Sequence, residues 1–223
     1  MVISQAVLKA RTGGVAETLE LLLASDGTAS HPYPVSDTLL SGREATRNLA
    51  DAAHYLCMLH GAHPGVVDYA ARRTAHPAAR VWLAEAADGF ALERSYLTRI
   101  SVAAGPLPST PGHAECEAAV IGQRHALETL AQSERTGCAL GAAIALVMDW
   151  KAIRHVLDSA AERLGVPPQA GRLPDERNTQ SVAAAMAESS GAERALGFGA
   201  QQILAQHRGL WTVLEARQHA RQA

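Results

Sequence analysis

Asp149 sits at the end of the most hydrophobic run in the chain, GCALGAAIALVMDW (residues 137–150). At 100° per residue it shares one helical stripe with Cys138, Ala142, Ala145, Ile153, Val156 and Ala160, where an aliphatic side chain would be expected. Three other segments repeat the pattern. Glu93 lies on a face with Trp82, Ala86, Gly89, Tyr96 and Ile100. His125 follows Ala114, Ala118, Ile121 and Gly122, with Glu128 one turn beyond at the edge of that face. His207 is enclosed by Leu196, Ala200, Ile203, Leu210 and Leu214, and His60 ends a stripe of Leu49, Ala53 and Leu56. An ionised carboxylate inside a core is costly unless it is paired, hydrogen-bonded or bound to a metal. Carboxylates and imidazoles from facing helices are how a bundle builds a metal centre, and that donor set suits iron, manganese or zinc. In such a centre Glu93 and Asp149 supply charge and His125 and His207 ligate as neutral imidazoles. Glu128 is a further ligand or orients His125, and His60 is a fifth contributor. The competing reading is a structural network, with Asp149 paired to an arginine such as Arg94 or Arg124 and His125 hydrogen-bonded to Glu93.

Other stretches carry less. HYLCMLHGAH (54–63) has metal-like spacing, but only Cys57 and His60 share a helical face, and His63 lies past Gly61. AAGPLPSTPGHAE has no phosphate-binding or nucleophile-elbow pattern, and its prolines suggest a rigid turn. Arg72, Arg73 and Arg80 read as a solvated basic face. Ser133 and Ser181 have no neighbouring histidine–carboxylate partner, so no catalytic residue is assigned.

The elements that must position these residues are helices. Periodicity and stop signals predict helices over about 15–24, 44–60, 78–103, 111–135, 137–165, 178–188 and 192–219, with a short one opening after Pro64. Thr110 and Pro111 form an N-cap and first-turn pair, while TASHPYPVSDTLLSG reads as an ordered loop. Almost nothing alternates as a strand does. The expected fold is all-α, a multi-helix bundle forming a single domain over 1–223, with 1–43 a peripheral helix and loop and 44–223 the core.

Composition agrees. Hydrophobic residues make up 48% and aromatics 4% of the 223, so the core must be built from small aliphatic side chains that suit close helix packing. A net charge of −2 argues against nucleic acid or an anionic membrane as partner. No secretory leader is evident and the apolar run is too short to span a bilayer, so the expected compartment is the cytoplasm. Cys57, Cys116 and Cys138 have no paired spacing and read as free thiols.

The stretches LHGAHPGVVDYAA, ALERSYLTRISVAAGPLPSTPGHAE and GQRHALETLAQSERTGCALGAAIALVMDWKAIRHVLD resemble an uncharacterised all-α family of alphaproteobacterial, sphingomonad-type proteins. That resemblance spans roughly 54–165 and implies a cytoplasmic bacterial protein without implying chemistry. The general architecture is similar to ferritin-like and haem-oxygenase-like bundles, which is an analogy of fold alone. Ferritin-like dimetal bundles use Glu-x-x-His pairs, whereas this chain has the reversed His125-Ala-Leu-Glu128. Two functions therefore stand side by side. One is a metal-binding bundle with oxidoreductase-like chemistry. The other is a non-catalytic helical protein acting through self-association or protein contacts. A homo-oligomer and a small-molecule ligand in the bundle core are open under both.

Overall fold

The computed structural model describes residues 14–108 and 112–222. Its elements in chain order are α1 (Val15–Asp26), a 3-10 turn (Thr28–Ser30), α2 (Asp37–Leu40), α3 (Ala45–His60), α4 (Val66–Arg73), α5 (Pro77–Ala104), α6 (His113–Ala131), α7 (Cys138–Leu164), α8 (Glu176–Ala185) and α9 (Ser190–Ala220). Well over half of the chain is helical, and no strand occurs among the described residues. The protein is an all-α multi-helix fold.

Local signals account for the boundaries. Pro77 takes the first turn of α5, where its missing N–H costs nothing, and the His76 ring accepts from Ala78 N. Asp175 and Ser189 accept from the first-turn N–H groups of Asn178 and Ala192, opening α8 and α9. Gly165, at φ +68°, closes α7 in the left-handed region that glycine tolerates. The stretch expected to be a loop contains one more helical turn, α2, capped by Ser36. The cap expected at Thr110–Pro111 lies outside the described residues.

A single apolar cluster draws on every helix, including Leu19, Tyr33 and Leu39 from the segment before α3. With so few aromatics, each tryptophan is placed deliberately. Trp82, Trp150 and Trp211 are buried, and each indole N–H has an acceptor: Thr179 Oγ1, Glu93 Oε2 and Thr28 Oγ1, all at 3.0 Å.

The tightest helix pair sets the site. A Cβ on Gly141 would stand 2.1 Å from Leu196 O, and one on Gly199 would stand 2.0 Å from Cys138 O. Those glycines let the backbones of α7 and α9 touch. Early residues of α7 touch early residues of α9 and Asp149 touches His207 further along both, so the two helices run in the same direction. Asp149 lies eight residues after Gly141, and His207 eight after Gly199. Both are carried the same ~12 Å along parallel neighbours and meet across the same interface.

No helix among the described residues is long and apolar enough to cross a membrane. Cys57, Cys116 and Cys138 are free thiols on α3, α6 and α7.

Candidate functional site

The Asp149 carboxylate is 3% exposed and fully engaged. Its Oδ1 accepts from Thr28 N at 2.8 Å, and its Oδ2 accepts from Thr28 Oγ1 and faces His207 Nδ1, both at 2.6 Å. Trp211 donates in turn to Thr28 Oγ1. Thr28 can reach the carboxylate because Gly27 precedes it: a Cβ there would lie 3.0 Å from Asp149 Oδ1 and 2.5 Å from Leu23 O. On the far side, His207 Nε2 is 2.9 Å from His60 Nε2. The result is a chain, Thr28–Asp149–His207–His60, joining the 3-10 turn, α7, α9 and the end of α3.

Its protons follow from the environment. Burial pushes the Asp149 carboxyl up, but the hydrogen bond and charge of His207 and the two Thr28 donors outweigh that, leaving its pKa below the ordinary 3.8. Burial first, then the neighbouring His207 and Arg94, hold His60 well below 6.5. Asp149 is therefore ionised and His60 neutral near pH 7. His207 Nδ1–H donates to the carboxylate. Between the two rings, one Nε2–H donates to the other Nε2.

His60 packs edge-on against Trp150 at 5.5 Å and Phe90 at 6.2 Å between ring centres. It borders a cleft of about 30 Å³ between the α3–α4 turn and α6, room for a water molecule.

Residues 23–222 match a family of unknown function, DUF6975. The chain belongs to that family. No curated protein and no solved structure matches it. The matched span holds Thr28, His60, Asp149 and His207 alike.

Of the residues expected to form a metal centre, Asp149 and His207 come together in the core, with His60 joining them, while His125 Nδ1 lies 3.5 Å from Glu128 Oε2 on the outer face of α6. Glu93 is 1% exposed but faces arginine: Arg154 Nη1 donates to its two oxygens at 2.7 and 2.9 Å, and Trp150 donates at 3.0 Å. The Trp150 ring stands between Glu93 and His60. Arg154 also bonds Asp158 and Gln169 O. His125 is on the outside, its side chain 83% exposed, and Glu128 pairs with Arg124 Nε at 2.9 Å. The reason is that α6 turns its larger aliphatics inward, burying Val120, Leu127 and Leu130 and leaving Ala114, Ala118 and Ile121 exposed. An alanine stripe offers too little apolar area to outweigh three larger side chains. The suggested partners of Asp149 are corrected too. Arg94 Nη1 pairs with Asp68 at 3.0 Å, and Arg124 pairs with Glu128.

Among the described residues no group of three or more His, Cys, Asp or Glu side chains could hold a metal ion. Within the chain, Asp149 addresses Nδ1 of His207 while His60 addresses Nε2, so the three share no common point. Sequence reasoning missed Thr28 and Trp211, the first because it lies off any helix stripe. The Ser25-Asp26-Gly27 stop signal was the available hint.

Proposed function

We propose that this chain is a non-catalytic helical protein whose buried polar residues form a structural hydrogen-bond network, and that it works through what its surface and grooves bind. One observation carries the reading: each core-facing carboxylate of the expected site is already saturated, Glu93 by Arg154 and Trp150, Asp149 by Thr28 and His207. A network with every member satisfied fixes helix register and face, because any slip strands a buried charge. The water-sized cleft beside His60 supports the same reading, since drug-sized ligands occupy pockets roughly ten times larger. We read the chain as one domain, supported by the core shared between residues 15–40 and the later helices. The three free thiols support a reducing compartment such as the bacterial cytoplasm.

A second reading, a metal at His60 and His207, draws on one feature. A carboxylate behind a histidine Nδ1 is how ligand imidazoles are oriented in metal sites. It has two donors where a zinc site needs at least three from protein. The separating experiment is elemental analysis of protein purified without an affinity tag, together with unfolding in the presence and absence of a chelator. The structural reading expects less than a tenth of an equivalent of iron, manganese or zinc and an unchanged unfolding midpoint. One equivalent of metal, lost in Asp149→Asn, overturns it.

A further inference from the structure

Unlike the core carboxylates described so far, the one near the end of α9 faces two fixed positive charges. Arg217 and Arg221 both converge on Asp51 of α3, Arg217 with Nε 3.1 Å from Oδ2 and Arg221 through Nη1. Two guanidinium groups thus share one carboxylate in a region where Arg217 is 2% and Asp51 2% exposed. Arg221 also donates to Asn48 Oδ1, and Arg217 Nη2 donates to Pro108 O. Among the described residues Arg217 Nη1 has no hydrogen-bond partner, so the charge of this pair of guanidinium groups is not fully met within the cluster.

A groove opens beside the cluster. Its volume is about 540 Å³, and Arg43, Arg47, Asn48, Gln218 and Arg221 line it, with Glu44 as its one carboxylate. The groove also meets the first turn of α3, a 16-residue helix whose N-cap, Glu44, makes no side-chain cap bond. Ala45 N donates to Gly42 O at 2.9 Å, while the N–H groups of Thr46 and Arg47 meet no backbone acceptor among the described residues and lie at the positive end of the helix dipole. Four arginines (Arg43, Arg47, Arg217 and Arg221) against two carboxylates (Glu44 and Asp51) leave an excess of about two positive charges, to which the start of α3 adds its dipole. That matches a phosphate monoester, which carries −1.5 to −2 near pH 7.

We infer that the groove between the start of α3 and the end of α9 binds the phosphate group of a small molecule. Arg43 and Arg47 reach the phosphate from the rim, Arg221 from the floor, and the N–H groups of Thr46 and Arg47 from the end. Arg217, held on Asp51 and against the Tyr55 ring at 5.6 Å, supplies the buried charge behind them. The remaining volume accommodates the organic part of the ligand. This site shares no side chain with the Asp149 chain, so its failure and that of the structural reading are separable.

The test is calorimetric titration of the full chain, dialysed free of phosphate, with inorganic phosphate and with glycerol 2-phosphate, against acetate and chloride at matched ionic strength. Saturable one-to-one binding of both phosphates is expected, with neither control binding. Arg43→Ala/Arg47→Ala, on the exposed rim, should weaken binding by about tenfold or more while leaving the ligand-free melting temperature unchanged. Should that double variant unfold, Arg47→Lys alone, which keeps charge and loses the planar fork, is expected to weaken binding several-fold. No heat with either phosphate, equal binding of acetate, or affinity indifferent to the rim arginines would overturn the proposal.

Discussion

Two buried polar clusters in this protein are built from similar materials and come out differently. At the centre, Asp149 is met by two Thr28 donors and one imidazole, which together occupy both carboxylate oxygens. Near the end of α9, Asp51 is met by two guanidinium groups that cannot shed their protons. The first carboxylate meets donors without a fixed charge, and the second meets one guanidinium more than it can neutralise. The first cluster is therefore complete within the chain, while the second has charge left to offer. A buried carboxylate alone does not separate a structural lock from a binding site; the number of fixed positive charges around it does.

The largest effect is expected from reopening the interface that creates the central cluster. Gly199→Val places side-chain atoms against Cys138 O, and α7 and α9 must separate; a loss of about 4 kcal/mol or more, or failure to fold, should appear in urea unfolding. Truncating the carboxylate comes next. Asp149→Ala strands Thr28 N and His207 in a dry core and should cost roughly 3–5 kcal/mol. Asp51→Asn should destabilise as well, but there added phosphate should recover part of the loss, whereas it should leave Asp149→Ala unchanged. Equal rescue of both, or of neither, would erase the distinction between the clusters.

A smaller effect concerns pH. The native His60 is held below 6.5, so beneath that pH the unfolded chain takes up a proton that the folded one refuses. Stability from this group is complete above 6.5 and falls as the pH drops toward the lowered native value, by at most about 1.4 kcal/mol per pH unit. Comparing urea midpoints of the wild type and His60→Asn from pH 8 to 5.5 isolates it from the other histidines. The variant should show the shallower decline. Asp149, also depressed, keeps its contribution above 3.8 and loses it only below that. The smallest effect should be at the outer face of α6, where His125→Ala and Glu128→Ala are expected to change stability by less than about 0.5 kcal/mol.

The helices were largely legible in the sequence because apolar spacing, proline and glycine act locally. Expected spans of 44–60, 78–103 and 137–165 differ from α3, α5 and α7 by only a residue or so at each end. Which way a helix faces was legible only where the stripe was strongly apolar. Around Asp149 and His207 it was, and both are buried. On α6 an alanine face competed with a leucine–valine face, and His125 was assigned to the wrong one. Partner identity was the least legible property. Thr28 comes from a turn 121 residues away in sequence, and Arg154 reaches Glu93 from another helix, so neither pairing has any local periodicity to announce it.

The central claim is that Asp149 and His207 act as one hydrogen-bonded unit holding α7 to α9. A double-mutant cycle by urea unfolding at pH 7, using Asp149→Asn, His207→Gln and the double variant, measures that unit directly. The account predicts that the double variant is more stable than the sum of the single losses implies, with a coupling of about 1–3 kcal/mol. Additive losses, with coupling near zero, would mean that the two side chains do not depend on each other and would contradict it.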